Sequence, residues 1–173
     1  MTEEERLELS QYAAGMSLAE RLEMWEQAAI LERHLHVMQH GTPAPLSQHA
    51  QALGSRIVAQ FQGARWYHGG PPGLEPGTRL LPAKVTGLDP RANGQFVPDR
   101  ETYVHITANR AQAEDFARSY PGGGVVYEVQ PVGPVTVLPV QARLAELMAL
   151  DVGEGFDLLS IGPSFCCEAA TVA

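Results

Sequence analysis

Trp66-Tyr67-His68-Gly69-Gly70 is the stretch on which the fold of this chain turns. Two aromatic residues and a histidine read as a short strand, and the paired glycines punctuate its end. A glycine there lets a flat ligand approach the backbone, whose N–H and C=O can pair with an amide. The histidine can meanwhile reach a neighbouring hydroxyl. A strand end followed by a plain turn gives the same five letters, so the surrounding sequence has to decide.

Downstream, β-type runs at 79–85, 102–107, 125–130, 135–138 and 165–172 alternate with Gly and Pro, continuing the run at 65–68. Helices are predicted at 109–120 and 141–150. Asn109 is placed as an N-cap with Gln112 three residues later, and the first of these helices is expected to bury Ala113, Phe116, Ala117 and Tyr120. Strands this short, joined this tightly, fit an α+β pattern and not a parallel βαβ sheet. Neither a Walker loop nor a G-x-G-x-x-G occurs, so the common nucleotide folds lose support.

Upstream, residues 1–62 read as helical, with a change of composition near Gly63. Thr2 with Glu5 and Ser17 with Glu20 have capping-box spacing, so two helices start there. The second carries Leu18, Leu22, Trp25, Ala28, Leu31, Leu35 and Met38 at steps of three or four, ended by Gly41 and Pro43. A third segment, 47–62, repeats the pattern with Ala50, Leu53, Ile57 and Phe61. These stripes are read as core faces, with a surface for a protein partner as the other use. His34, His36, His40 and His49 lack a further ligand at fixed spacing, so no metal is expected.

The 173 residues suit about one domain of ordinary size. A formal charge of -8 opposes attachment to phosphate backbones and anionic lipid. No run approaches ~18 apolar residues, and Glu3, Glu4 and Glu5 stand where a signal peptide needs basic residues. The reading is a cytoplasmic protein without membrane association, with export as an effector lacking a signal peptide left open. Cys166 and Cys167 are adjacent, so their Cα atoms lie ~3.8 Å apart against the ~4.4–6.8 Å of ordinary disulfides. On a strand they point to opposite faces, and both are read as inert packing thiols.

Two further islands carry polar chemistry. In 102–107, alternation sends Val104 and Ile106 to the core and Tyr103, His105 and Thr107 to the other face. In 165–172, Glu168 is a single carboxylate among apolar residues, either solvent-facing or held for a ligand.

Taken together, Tyr67-His68-Gly69, the segment 74–82, Val104-His105-Ile106-Thr107, Ala113 and the segment 126–134 resemble the rifampin ADP-ribosyltransferases. More broadly they resemble the poly(ADP-ribose)-polymerase-like transferases. The resemblance covers about 70 residues. It implies an α+β ADP-ribosyltransferase-like fold over 63–173, a pair of small antiparallel sheets forming an NAD cleft, with 1–62 as an N-terminal helical extension.

The resemblance also implies roles. His68 binds the ribose beside nicotinamide, Gly69 pairs with the carboxamide, and Tyr67 belongs to the same motif. His105 falls where the family has a ring-stacking tyrosine, with Tyr103 two residues earlier on the same face and Phe116 as the second aromatic. A histidine there is also found in RNA 2′-phosphotransferases, whose Val-His-Leu-Ser motif is similar, although their RNA-binding arginines are not recognisable. Rifampin enzymes carry an acid after their Glu-Pro-x-Gly-Pro segment, but 135–139 has none, which leaves Glu168 matching the last-strand glutamate of polymerase-like relatives. Arg79 and Arg91 are candidates for the pyrophosphate, since arginine matches phosphate oxygens, and 86–101 for a flap near the acceptor.

The implied reaction cleaves the nicotinamide–ribose bond of NAD, a substrate, without metal, and transfers ADP-ribose to a protein, small-molecule or nucleic-acid acceptor. Such an enzyme is a toxin or effector, or a drug-modifying enzyme. The alternatives are an NAD glycohydrolase, an RNA 2′-phosphotransferase-like enzyme, and a non-catalytic NAD-binding or protein-interaction module.

Overall fold

The computed structural model describes residues 1–87, 102–120, 122–153 and 155–173. Both N-terminal capping boxes form. The Thr2 hydroxyl accepts from the Glu5 N–H (3.2 Å) and the Glu5 carboxylate from the Thr2 N–H (2.7 Å), starting α1, Glu3–Ala13. Ser17 and Glu20 repeat the exchange at the start of α2, Leu18–His40. Gly41, at φ 74, ends α2 and returns its N–H to Val37 O, a left-handed cap that favours glycine.

The apolar stripe of α2 is not the single core face the sequence suggests. Trp25, Ala29 and Arg33 are buried, whereas Leu18, Leu31, Leu35 and Met38 are exposed. Helix geometry gives the reason. A step of three residues falls about 60° short of a full turn, and Leu22, Trp25, Ala28 and Leu31 are three such steps in succession. The stripe therefore rotates off the packed side before Leu31.

The chain forms two compact units. The first is Met1–Gly54 with Pro139–Gly162, so the helix α6, Pro139–Val152, joins the N-terminal helices across the sequence division at residue 62. There α2 packs along α6. Asp151 of α6 accepts from Trp25 Nε1 (3.0 Å), Arg21 Nη1 (3.3 Å) and Ser10 Oγ (2.5 Å), gathering α1 and α2 onto one buried carboxylate. Nearer its start, Arg143 makes a forked bond to Glu32 of α2 at 2.8 and 3.2 Å and also pairs with Glu146. The helix α3, Gln48–Ala59, begins here with Ser47 bonded to Glu146 and ends in the second unit.

The second unit, Ser55–Leu138 with Pro163–Ala173, holds both sheets. The strands are β1 Trp66–Gly70, β2 Arg79–Leu80, β3 Val104–Ile106, β4 Val125–Val132, β5 Thr136–Val137, β6 Phe165–Cys167 and β7 Ala169–Val172. They pair antiparallel throughout, in the orders β1-β4-β7-β2 and β3-β6-β5. The architecture is mixed α+β with two small antiparallel sheets.

Two predicted strands are corrected. The run at 79–85 gives only β2, because Pro82 cannot donate to a ladder; it caps the short helix α4, Ala83–Thr86, instead. The terminal run divides at Glu168 into β6 of one sheet and β7 of the other. The core of this unit is centred on Phe165, whose ring meets Phe61 and Trp66 edge-on at 4.8 and 4.9 Å.

Candidate functional site

The site is set by where the two sheets meet and part. They are bridged at Tyr67 and Thr107, whose N–H and C=O groups exchange bonds of 2.8 and 2.9 Å. They meet again at Glu168, where the chain leaves β6 for β7. Between these junctions no strand pairing joins the sheets among the described residues.

The bridge also settles what Gly69 presents. Along an antiparallel strand successive residues turn their N–H and C=O to opposite sides. Tyr67 spends both groups on Thr107, so Gly69, two residues on, turns its own pair to the same outer edge of β1. There β3 has already turned away to pair with β6. One donor and one acceptor of the backbone thus face the opening, the pattern that a carboxamide matches.

Gly69 has a second reason to lack a side chain. The helix α5, Arg110–Arg118, crosses so closely that a Cβ on Gly69 would stand 2.4 Å from Ala113 O, 2.7 Å from Ala117 N and 3.1 Å from Phe116 Cβ. Gly69→Ala must therefore displace α5, and an overpacking cost of about 1–3 kcal/mol is expected in chemical denaturation. Unchanged stability would mean that α5 yields freely.

Helix α5 is itself anchored at the bridge. The Asn109 side chain accepts from Ala111 N and Gln112 N, as its N-cap position predicts. Gln112 does not complete a capping box. It accepts from Thr107 Oγ1 (2.5 Å) and donates to Ser164 Oγ (2.9 Å), while Thr107 Oγ1 accepts from Asn109 N (3.0 Å). Thr107 is thus a buried structural residue. Ala113 and Ala117 are buried as expected, but Phe116 is 38% exposed, because it flanks Gly69 at the rim of the packed face.

His68 lies on the opposite face of β1, beside Trp66 and Gly70. Its Nδ1 donates to the carbonyl of His105 (2.8 Å), since a carbonyl can only accept. In the neutral ring Nε2 is then the acceptor. That edge overhangs Gly70, where a Cβ would lie 3.1 Å from both Cδ2 and Nε2 of His68. His105, half-buried between buried Val104 and Ile106, keeps the predicted alternation.

Glu168 is exposed at the crossover, with Oε2 3.5 Å from where a Cβ on Gly133 would sit. Gly133 has φ +83, so a larger residue there would be strained. His105 is directly opposite Cys166 and Val104 opposite Cys167, so Tyr103 and Glu168 each stand one residue beyond the last pair of β3 and β6.

His68, Gly69, His105 and Phe116 are thus gathered around the bridge, with Tyr67 forming it and Glu168 and Tyr103 at the other junction. Arg79 is not brought to them. It is on β2, three strands from β1 and hence about 14 Å away across the sheet. Arg91 and most of the predicted flap at 86–101 lie outside the described residues. Cys166 and Cys167 are both buried and form no disulfide, and burial, then the neighbouring Cys166, pushes the Cys167 thiol up to about 11.

Tyr127 is the neighbour that sequence reasoning passes over. It is directly opposite His68 on β4, on the same face. An alternating strand with one tyrosine carries no local signal for this; the pairing register alone reveals it.

Among the described residues no helix is long and apolar enough to cross a membrane, and no group of three or more His, Cys, Asp or Glu could hold a metal ion. No family model matches this sequence, and no curated protein sequence matches it.

Proposed function

We propose that this chain is an NAD-dependent ADP-ribosyltransferase with an ADP-ribosyltransferase-like fold in its sheet-bearing unit. The observation that carries the reading is the outward backbone pair of Gly69 beside His68, at the edge where β3 leaves β1. A primary carboxamide needs one acceptor and one donor on a common edge, and a ribose hydroxyl needs a partner next to them. Gly69 and His68 supply both within two consecutive residues.

In this reading Gly69 fixes the nicotinamide carboxamide, and His105 with Phe116, both on the α5 side of β1, bracket its ring. Nicotinamide departs with the electron pair of its bond to ribose C1′, leaving an oxocarbenium-like centre. The Glu168 carboxylate stabilises that positive charge. An acceptor oxygen or nitrogen then bonds to C1′, and its proton passes to Glu168. Because Glu168 is exposed, water is a competing acceptor, and NAD glycohydrolase activity is the second reading.

The test is incubation of the purified protein with NAD, following free nicotinamide with and without cell lysate. Nicotinamide release with ADP-ribose attached to a lysate component is expected. Free ADP-ribose alone would make the protein a glycohydrolase, and intact NAD in both arms would overturn the reading.

A further inference from the structure

Histidine is concentrated in one part of the chain. Four of its six histidines, His34, His36, His40 and His49, fall within 34–55, a segment without a single Lys, Arg, Asp or Glu. Two of them share a face of α2. His36 and His40 are four residues apart, about one helical turn, and their rings stand with centres 4.4 Å apart and planes tilted by 50°.

The turn that ends α2 fixes the first ring. Gly41, at φ 74, reverses the chain, and the Thr42 carbonyl comes back to accept from His36 Nδ1 at 2.7 Å. In the neutral ring the lone pair is then on Nε2. A backbone carbonyl on one ring nitrogen is the arrangement that orients a histidine whose other nitrogen binds a metal. That bond alone is a helix-end tie; the second imidazole beside it makes a chelating pair. His40 is exposed, and no hydrogen bond holds its ring among the described residues.

The separation of the rings fits one ion. Two imidazoles bound cis through nitrogens at ~2.0–2.1 Å have ring centres about 4.5 Å apart at a right angle and about 5.2 Å apart at the tetrahedral angle. The observed 4.4 Å matches the right angle, that of tetragonal Cu2+. Mg2+ and Ca2+ take oxygen ligands, and two imidazoles offer only nitrogen. The end of a 23-residue helix is also a favourable place for a cation, because its last carbonyls carry partial negative charge.

We propose that His36 and His40 form a two-histidine site for a nitrogen-seeking divalent ion, Cu2+ before Zn2+, with water in the remaining positions. No third His, Cys, Asp or Glu joins the pair among the described residues. That argues against a structural zinc site, which four protein ligands close, and not against a site that leaves positions open. The pair belongs to the helical unit and is independent of the NAD reading. The i,i+4 spacing brings the rings together only when α2 is folded, so the ion stabilises the end of that helix and the turn bonded to it.

The test is titration of Cu2+ into the full chain in a buffer that does not chelate, followed by calorimetry and electron paramagnetic resonance. The tightest equivalent is expected to show two nitrogens coupled to the copper and to raise the melting temperature. Zn2+ should bind the same site more weakly, and excess Mg2+ should not compete. His36→Gln and His40→Gln should each weaken Cu2+ binding at least about tenfold, since even the groups behind a metal-binding histidine are worth about 10–100-fold. His34→Gln, about 200° around the helix from His36, should leave the affinity unchanged. Circular dichroism on each variant checks that α2 persists. Absence of Cu2+ uptake by the wild-type protein overturns the site, and so does wild-type affinity in His36→Gln or His40→Gln. A copper signal coupled to a single nitrogen overturns the pairing of the two rings. An equal loss in His34→Gln also overturns it, since binding would then be spread over the histidines of 34–55.

Discussion

Replacing His68 by alanine is expected to reduce NAD turnover at least about 100-fold, the scale on which a lost positioning contact acts. Stability should change far less. The imidazole bonds the His105 carbonyl at 2.8 Å, overlies Gly70, and is half-buried. Deleting it removes one described hydrogen bond, worth about 0.5–1.5 kcal/mol. In the proposed reaction the ribose, by contrast, loses the group proposed to set its orientation relative to Glu168. Nicotinamide release and guanidinium denaturation, measured on the same preparations, separate the two effects. Parallel losses in both would make His68 a packing histidine whose bond to His105 simply fastens β1 to β3. His105→Tyr sharpens the comparison: a tyrosine can still lie flat beside the ring, and the bond from His68 uses only the backbone carbonyl of residue 105. That variant should keep substantial turnover where His68→Ala does not.

What could be read from the sequence follows from which interactions are local. The capping boxes at Thr2 and Ser17, the N-cap at Asn109 and the alternation around His105 depend on residues within four positions, and each appears as expected. The α+β class, with strands too short and too tightly joined for a parallel βαβ sheet, was equally legible, because strand length and turn residues express it directly. Long-range register was not. The crossover at Glu168 cannot be seen in Phe165-Cys166-Cys167-Glu168-Ala169, since nothing local distinguishes a continuous strand from one that changes sheets. The same blindness hid Tyr127, whose partners are 53 and 56 residues away. Gly69 is an instructive middle case. A glycine before a turn suggested access for a ligand, and the structure adds the backbone of α5, 2.4 Å from where a Cβ would sit, as an independent reason for it. The α2 stripe misled for a different cause: three-residue steps preserve local amphipathicity while rotating the face, so residues such as Leu35 satisfy the pattern yet end up exposed.

The largest stability effect is expected in the helical unit, from Arg143→Leu. Arg143 is the only described side chain bonded to both Glu32 and Glu146, and its removal leaves two mostly buried carboxylates without the guanidinium they share. Breaking a pair of this kind costs about 3–5 kcal/mol, chiefly through the unpaired charge left behind. The pH dependence identifies that cause. Burial pushes the Glu32 carboxyl up, but its hydrogen bonds from Arg143, then the guanidinium charge and the chain's amino group, outweigh it and hold it below its ordinary value. A carboxylate held low contributes stability that is complete above 4.5, its ordinary value, and is lost as pH falls through its lowered folded-state pKa. Without Arg143 the burial remains and its main opponent is gone, so the same carboxyl takes up a proton more readily in the folded protein, and acid relieves the variant while it weakens the wild type. The stability gap should therefore be widest at neutral pH and narrow as the solution is acidified below about 4.5. The chain has two tryptophans, and a Trp66→Phe background leaves Trp25, bonded to Asp151 within this unit, as the fluorescent reporter. A gap that stays constant from neutral to acidic pH would show that Arg143 stabilises through the packing of its stem along α6 and not through its charge.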